Sequence, residues 1–294
     1  MSASHEQLQS QANRSFTVAY ICMFGAPILW SLGGLLIKSI HWNSFAIAGA
    51  RSGIAALLIL LFLRGKVNLH VTPLRVGAVL AQTTALFCFV GAMRIANTTN
   101  VVFLNNTSFI YVAILSRIFL KEKISILDWL ITLAVLIGIL LFFMGGLTLE
   151  HVWGNLLAIF SAIAFSICVI LLRAQKDEQP MQAVFFGHSL AFLIGLPFIL
   201  SSGEPQGIGW TGIVLLGVFQ IGLAYVCFAI AIEKVRAFDF TLVSMLDPVL
   251  GPIWTAIAFH EKPTFWAVIG AIIVTAAVIA KALMLRTSEQ ANKT

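Results

Sequence analysis

Charge is what this chain has least of. Only 10% of its 294 residues are Asp, Glu, Lys or Arg, while 60% are hydrophobic and mean hydropathy is +0.98. A water-soluble domain cannot hide that much apolar side chain, because its surface scales too steeply with size. Long polar stretches are also missing, so no separate soluble catalytic or binding domain fits. The four cysteines, Cys22, Cys88, Cys168 and Cys227, form no C-x-x-C pair and lie in apolar runs, where they read as small core hydrophobes. There is no His-Glu-x-x-His, Walker A or dinucleotide glycine fingerprint, so no cofactor or metal is expected, and ATP-driven work requires a partner chain. Gly187-His188-Ser189-Leu190-Ala191 imitates a hydrolase nucleophile elbow, but Ala191 stands where that motif wants Gly and the segment is a continuous apolar run. Enzyme activity is therefore not expected; an intramembrane lipid-modifying hydrolase is the rival reading, and it would depend on Ser189 or His188.

What is present is long apolar runs. Ten read as bilayer spans: 17–39, 45–63, 74–95, 101–120, 126–144, 155–172, 181–200, 208–232, 240–259 and 265–285. Each approaches the roughly 20 residues that a helix needs to cross about 30 Å of hydrocarbon. Continuous runs without period-two alternation exclude a barrel, and in lipid only helices and closed barrels satisfy the backbone. The first run is too long for a signal h-region and reads as an uncleaved helix. The fold class expected is all-α integral membrane. With the N-terminus inside, fourteen of the eighteen Lys and Arg fall on the inner side and three on the outer, with Arg51 inside a span. Both termini are thus expected in the cytoplasm, and the net charge of +6 reads as a topology signal, not a nucleic-acid footprint.

The chain also repeats itself. A shift of 139 residues lays the third to fifth spans on the eighth to tenth with ten identities, among them Cys88 on Cys227, Phe89 on Phe228, and Glu122-Lys123 on Glu261-Lys262. Five helices per repeat is an odd number, so the halves enter the membrane in opposite senses. Inverted repeats place a substrate site near the midplane between the halves and permit inward- and outward-facing arrangements. The division expected is a cytoplasmic tail 1–16, a first five-helix repeat 17–145, a linking loop 146–154, a second, inverted repeat 155–285, and a tail 286–294.

The ten spans, the opening LWSLGGLLIK, the fourth-helix endings FLKEKIS and FHEKPT, and LDPVLGP in the ninth span together resemble EamA-type members of the drug/metabolite transporter superfamily. The resemblance covers about residues 17–285. It implies two inverted five-helix repeats and a secondary transporter of small organic solutes, often an exporter, in a bacterial inner membrane. Amino acids are the leading substrate class and a proton the coupling ion to consider; multidrug or nucleoside-like metabolite carriage is the alternative.

Polar groups inside spans mark the site candidates, because they are costly in lipid and face the bundle interior. Asn105-Asn106-Thr107-Ser108 covers a full helix circumference, so no rotation hides it from lipid. Asn105 and Ser108 fall on Ser244 and Asp247 under the repeat, and each pair shares a helix face. Asp247 is the only carboxylate deep in a span. It precedes Pro248, with Gly251 and Pro252 one turn on, and reads either as an amine partner or protonation site, or as a cap on groups freed by a helix break. Trp30 beside Gly33 and Gly34, and Tyr111, Tyr225 and Trp254, are aromatic candidates; His188 is a proton-relay candidate. Arg51, Lys38 and Arg173 read as structural or snorkelling cations. The cavity is expected between the first, third, fourth, sixth, eighth and ninth helices. Sugar-phosphate carriage would require several central cations; with only Arg51 even moderately deep, a zwitterionic, neutral or cationic solute fits better.

Overall fold

In a computed structural model of the chain, residues 2–144, 146–147, 150–259 and 264–291 are described. Among them ten helical segments are long and apolar enough to cross a membrane. The first three spans are α1 (Ser2–Lys38), α2 (Ser44–Phe62) and α3 (Pro73–Ile95). The fourth span is two helices, α4 (Thr98–Asn106) and α5 (Ser108–Phe119), and the fifth is α6 (Ile126–Phe143). In the second half α7 (Val152–Ala174) and α8 (Pro180–Ser201) are the sixth and seventh spans. The eighth runs through α9 (Gly209–Leu215), a π-helical stretch Leu216–Leu223, and α10 (Ala224–Lys234). The ninth is α11 (Ala237–Val243), a 3-10 turn Ser244–Leu246 and α12 (Asp247–Phe259), and the tenth is α13 (Phe265–Ala291). Two short strands, β1 (Ile40–His41) and β2 (Gln206–Gly207), pair antiparallel.

The starts are written in the sequence. Asn43, Thr72 and Asn97 accept from the first-turn amides of α2, α3 and α4, and Pro73 opens α3, where its missing N–H costs nothing. Outward-facing side chains such as Leu61, Leu200 and Ile126 are broadly exposed, as expected of surface that meets lipid. Lipid tails are as apolar as leucine, so close packing rather than hydrophobic exclusion must hold the helices together. Glycines supply it. Gly49 and Gly195 let α2 and α8 touch backbone to backbone, and Gly138 and Gly270 do the same for α6 and α13. In repeat terms these are the second helix on the seventh and the fifth on the tenth. Swapped pairs complete the pattern: α3 packs on α7 as α1 packs on α10, and α5 packs on α7 as α12 packs on α1. The halves are therefore related as inverted repeats.

The fourth and ninth spans break at the same place. Helix restarts at Ser108 in one and at Asp247 in the other, and those positions correspond under the 139-residue shift. The causes differ. In the ninth span Pro248 occupies the first turn of the new helix, where proline is tolerated, but it removes a donor to the preceding turn. In the fourth, Asn106 Nδ2 donates to Val102 O at 2.8 Å and Thr107 Oγ1 to Leu104 O at 2.6 Å. Side chains that capture backbone carbonyls compete with the helix ladder. The fourth span, read from sequence as one helix, is thus two, and the break also satisfies two of its four polar residues locally.

Candidate functional site

The break in the fourth span is stitched to the sixth helix. The single Ser161 hydroxyl proton is shared between Asn105 Oδ1 at 3.0 Å and Ala85 O at 2.8 Å, and that of Ser166 between the Ser108 carbonyl at 3.0 Å and the Ala162 carbonyl at 2.7 Å. Ser108 itself is buried. Asn105 and Ser108 therefore hold the α3, α4, α5 and α7 junction in shape. Tyr111, one turn past Ser108 on the same face, is partly exposed.

The equivalent break behaves differently. Ser244 is buried, and its hydroxyl donates back to Phe240 O at 2.9 Å. Asp247 has no such tether: among the described residues no hydrogen bond or neighbouring charge acts on its carboxylate. Asp247, Gly251 and Trp254 lie on one face of α12 by their spacing. That face meets α1, for Gly251 lies against the Ser31 carbonyl and Trp254 Nε1 donates to Ser31 Oγ at 2.8 Å. A carboxylate is thus presented to the α1–α12 contact with no neutralising partner among the described residues.

Trp30 stands at the middle of an aromatic box. Its ring meets Tyr225 at 5.4 Å, Phe228 at 5.9 Å, Phe240 at 6.1 Å and Phe165 at 6.3 Å, mostly edge-on. The box draws on the first, sixth, eighth and ninth spans. The neighbouring Gly33 is needed for a different reason than an open space over the indole: Gln220 packs against it, leaving no room for a Cβ without movement. Gln220 sits in the π-helical stretch, and such a bulge re-aims a side chain that an α-helix would point elsewhere. Its Nε2 reaches the Trp30 carbonyl at 3.4 Å and its Oε1 accepts from Arg51 Nη1 at 3.1 Å. Arg51 is 5% exposed, so it is not a snorkelling cation, although it does hold a side-chain partner. His188, 2% exposed, lies edge-on to Tyr225 at 4.5 Å. Trp30, Tyr225 and His188 are thus one contiguous set, which Asn105 and Tyr111 do not join by any described ring contact or hydrogen bond.

Sequence reasoning missed a charged cluster at the end of the bundle that carries both tails. Lys281 on α13 lies between Asp128 of α6, to which it donates at 2.5 Å, and Asp239 of α11 at 2.9 Å. Arg236 takes Asp239 with both arms, Nε at 2.6 Å and Nη2 at 2.7 Å, and donates Nη1 to Lys123 O at 2.6 Å. Asp128 also closes a capping box with Ser125 at the start of α6. Burial pulls Arg236 down, but the Asp239, Asp128 and Glu122 carboxylates together outweigh it and the guanidinium is held above its ordinary range. Beside the cluster, Arg173 donates to the carbonyls of Ile232 and Glu233 and lies 3.5 Å from Glu122 Oε1; it is an interior bridge, not a snorkelling anchor. The Lys38 side chain, and the Glu261-Lys262 pair of the second repeat, lie outside what is described. The opposite end is closed by β1 and β2 and by Trp42, whose Nε1 donates to Ser202 O and Gly203 O and whose ring meets Trp210 at 5.6 Å.

Known proteins match this arrangement throughout. The profile of the EamA-like transporter family fits residues 17–144 and again 152–281. Human solute carrier family 35 member G1 is 26% identical over 285 residues, covering 88% of this chain and 77% of its own. An uncharacterized transporter of Archaeoglobus fulgidus is 26% identical over 231 residues, or 71% of this chain and 74% of that one. One crystal structure superposes with a TM-score of 0.80 at 19% identity, covering 92% of this chain and 98% of the other, a likeness of fold alone.

Proposed function

We propose a substrate class from the premise that the chain belongs to the EamA-like transporter family and is a multi-pass membrane transporter, not an enzyme. It carries a small organic solute with an amine, amino acids being the leading class, outward by alternating access between its inverted halves. Both termini face the cytoplasm of a bacterial cell and the chain sits in the inner membrane; the distribution of Lys and Arg supports that orientation. The solute lies between the halves, against the Trp30 box and the paired helix breaks at Asn105–Ser108 and Ser244–Asp247, with Tyr111 and Trp254 at its margins. A proton is the coupling ion, taken up at Asp247 or His188.

The observation that carries this reading is Asp247. An ionisable side chain inside the membrane is costly, and interior ones are paired or mark a pathway. This one is unpaired among the described residues, at a broken helix, on the face that meets α1. An ammonium group supplies the missing partner during binding, and a proton supplies it between loads.

Flux in liposomes with a panel of labelled L-amino acids tests the reading. Asp247→Asn keeps shape and polarity and removes the charge. Its transport is expected to fall roughly 10- to 150-fold, the equivalent of about 1.5–3 kcal/mol for a charged hydrogen bond, and to lose the pH dependence of the wild type. If Asp247 only caps the break before Pro248, Asp247→Asn transports normally with an unchanged pH profile and Asp247→Leu expresses poorly, which removes the residue from the site.

A further inference from the structure

Nine buried side-chain atoms among the described residues lack any hydrogen-bond partner, and six of them belong to four residues: Arg51, Ser52, Gln82 and His188. Native proteins leave few buried polar groups unsatisfied, so such a concentration calls for a cause. These four residues converge from three helices. Ser52 is next to Arg51 and, between Gly49 and Gly53, lies on the α2 face that packs against α8. Gln82 of α3 rests on Gly187, the residue before His188 on α8. The Arg51 guanidinium is close enough to His188 and to Tyr225 to act on both electrostatically. Through Gln220 and Tyr225 the cluster adjoins the Trp30 box.

Unspent donors outnumber unspent acceptors in the cluster, whose acceptors are Gln82 Oε1 and one His188 ring nitrogen. Arg51 spends one N–H on Gln220, and its enclosed Nε donates to nothing. The Gln82 amide, an imidazole N–H of His188 and the Ser52 hydroxyl add further unspent donors. No carboxylate among the described residues pairs with Arg51. Water can satisfy donors but does not neutralise a buried cation, whose desolvation is the larger cost. A planar guanidinium with free N–H groups is shaped for a carboxylate.

We infer that Arg51, His188, Gln220 and Gln82, with Ser52 and Tyr225 beside them, form a carboxylate-binding subsite for the transported solute. The inference rests on the reading of Asp247 as the amine partner and supplies the other end of a zwitterion: Arg51 on α2 reaches the Trp30 carbonyl through Gln220, and Asp247 lies on the α12 face that meets α1, the helix carrying Trp30. It also accounts for the π-helical stretch, which puts Gln220 where it both steadies Arg51 and leaves its remaining N–H groups free.

Purified protein in detergent, melted with L-leucine, leucinamide or 4-methylpentanoate, tests this directly, because the three probes share a side chain and differ only in carrying both charges, the amine alone or the acid alone. Wild type is expected to be stabilised by L-leucine and by 4-methylpentanoate. In Arg51→Gln both responses shift to about 10- to 150-fold higher concentration, while leucinamide acts as on wild type. Arg51→Met, which replaces a buried cation with an apolar stem of similar length, gives the same pattern. If 4-methylpentanoate fails to stabilise wild type, or stabilises Arg51→Gln and Arg51→Met equally well, the subsite is overturned. A response to the acid that depends on Arg51, with none to leucinamide, upholds the subsite and defeats the amine reading of Asp247 instead.

Discussion

At the end carrying both tails, Lys281 sits between two aspartates with 2% of its surface exposed, and Arg236 grips one of them with both arms. At the opposite end the closure is a pair of two-residue strands and an indole N–H donating to two backbone carbonyls, and among the described residues no ion pair joins the halves there. Both closures join the first half to the second. They differ in what opening costs. Separating the charged end strands buried ions unless water floods in to replace their partners, whereas separating the neutral end exposes groups that water satisfies at once. A carrier that alternates must open each in turn, so the charged end is expected to be the all-or-none one.

The largest effect that breaks this comparison is at Lys281. Lys281→Met leaves Asp128 and Asp239 buried without their shared ammonium, and removing one member of a buried ion pair costs about 3–5 kcal/mol. A fall of that size should appear in thermal melting, and a near-neutral substitution would mean the cluster is hydrated. At the neutral end Trp42→Phe keeps the ring against Trp210 and removes only the donor. A loss of about 0.5–1.5 kcal/mol is expected; a loss matching that at Lys281 would erase the difference between the ends.

The smallest effect concerns pH. Burial raises Glu122 above its ordinary 4.5, partly offset by the Ala237 N–H and by Arg173. A carboxyl raised on folding contributes stability that is complete below its unfolded pKa and lost as pH rises through the folded one. Melting temperature should therefore decline as pH rises above about 4.5, the value for an unperturbed carboxyl. Glu122→Gln should flatten that limb, and a variant with the wild-type slope would assign it to another group.

Much of this architecture was legible in the sequence because membrane helices announce themselves by length and apolarity, and because the repeat survives as a fixed shift. The break at Asp247 was visible through Pro248. The matching break at Thr107 was not, since neither proline nor glycine marks it; the signal was the run of side chains that capture their own carbonyls at Val102 and Leu104. The charged cluster was hidden for another reason. Asp128, Asp239 and Lys281 lie near the ends of the apolar spans and look like solvated terminal charges, and nothing local says that residues 153 apart in sequence will pair. Gln220 was legible as a polar residue inside the eighth span, but its aim was not, because the π-helical stretch that packs on α2 has no local signature.

Distances between paired spin labels test most directly the claim that the two ends open one at a time and that the charged cluster holds its own end shut. One pair goes on the exposed Lys121 and Lys234 at the charged end, the other on the exposed His41 and Glu204 at the neutral end. In Lys281→Met the first distance should lengthen while the second stays at its wild-type value. Both distances lengthening together, or neither changing, would contradict the account.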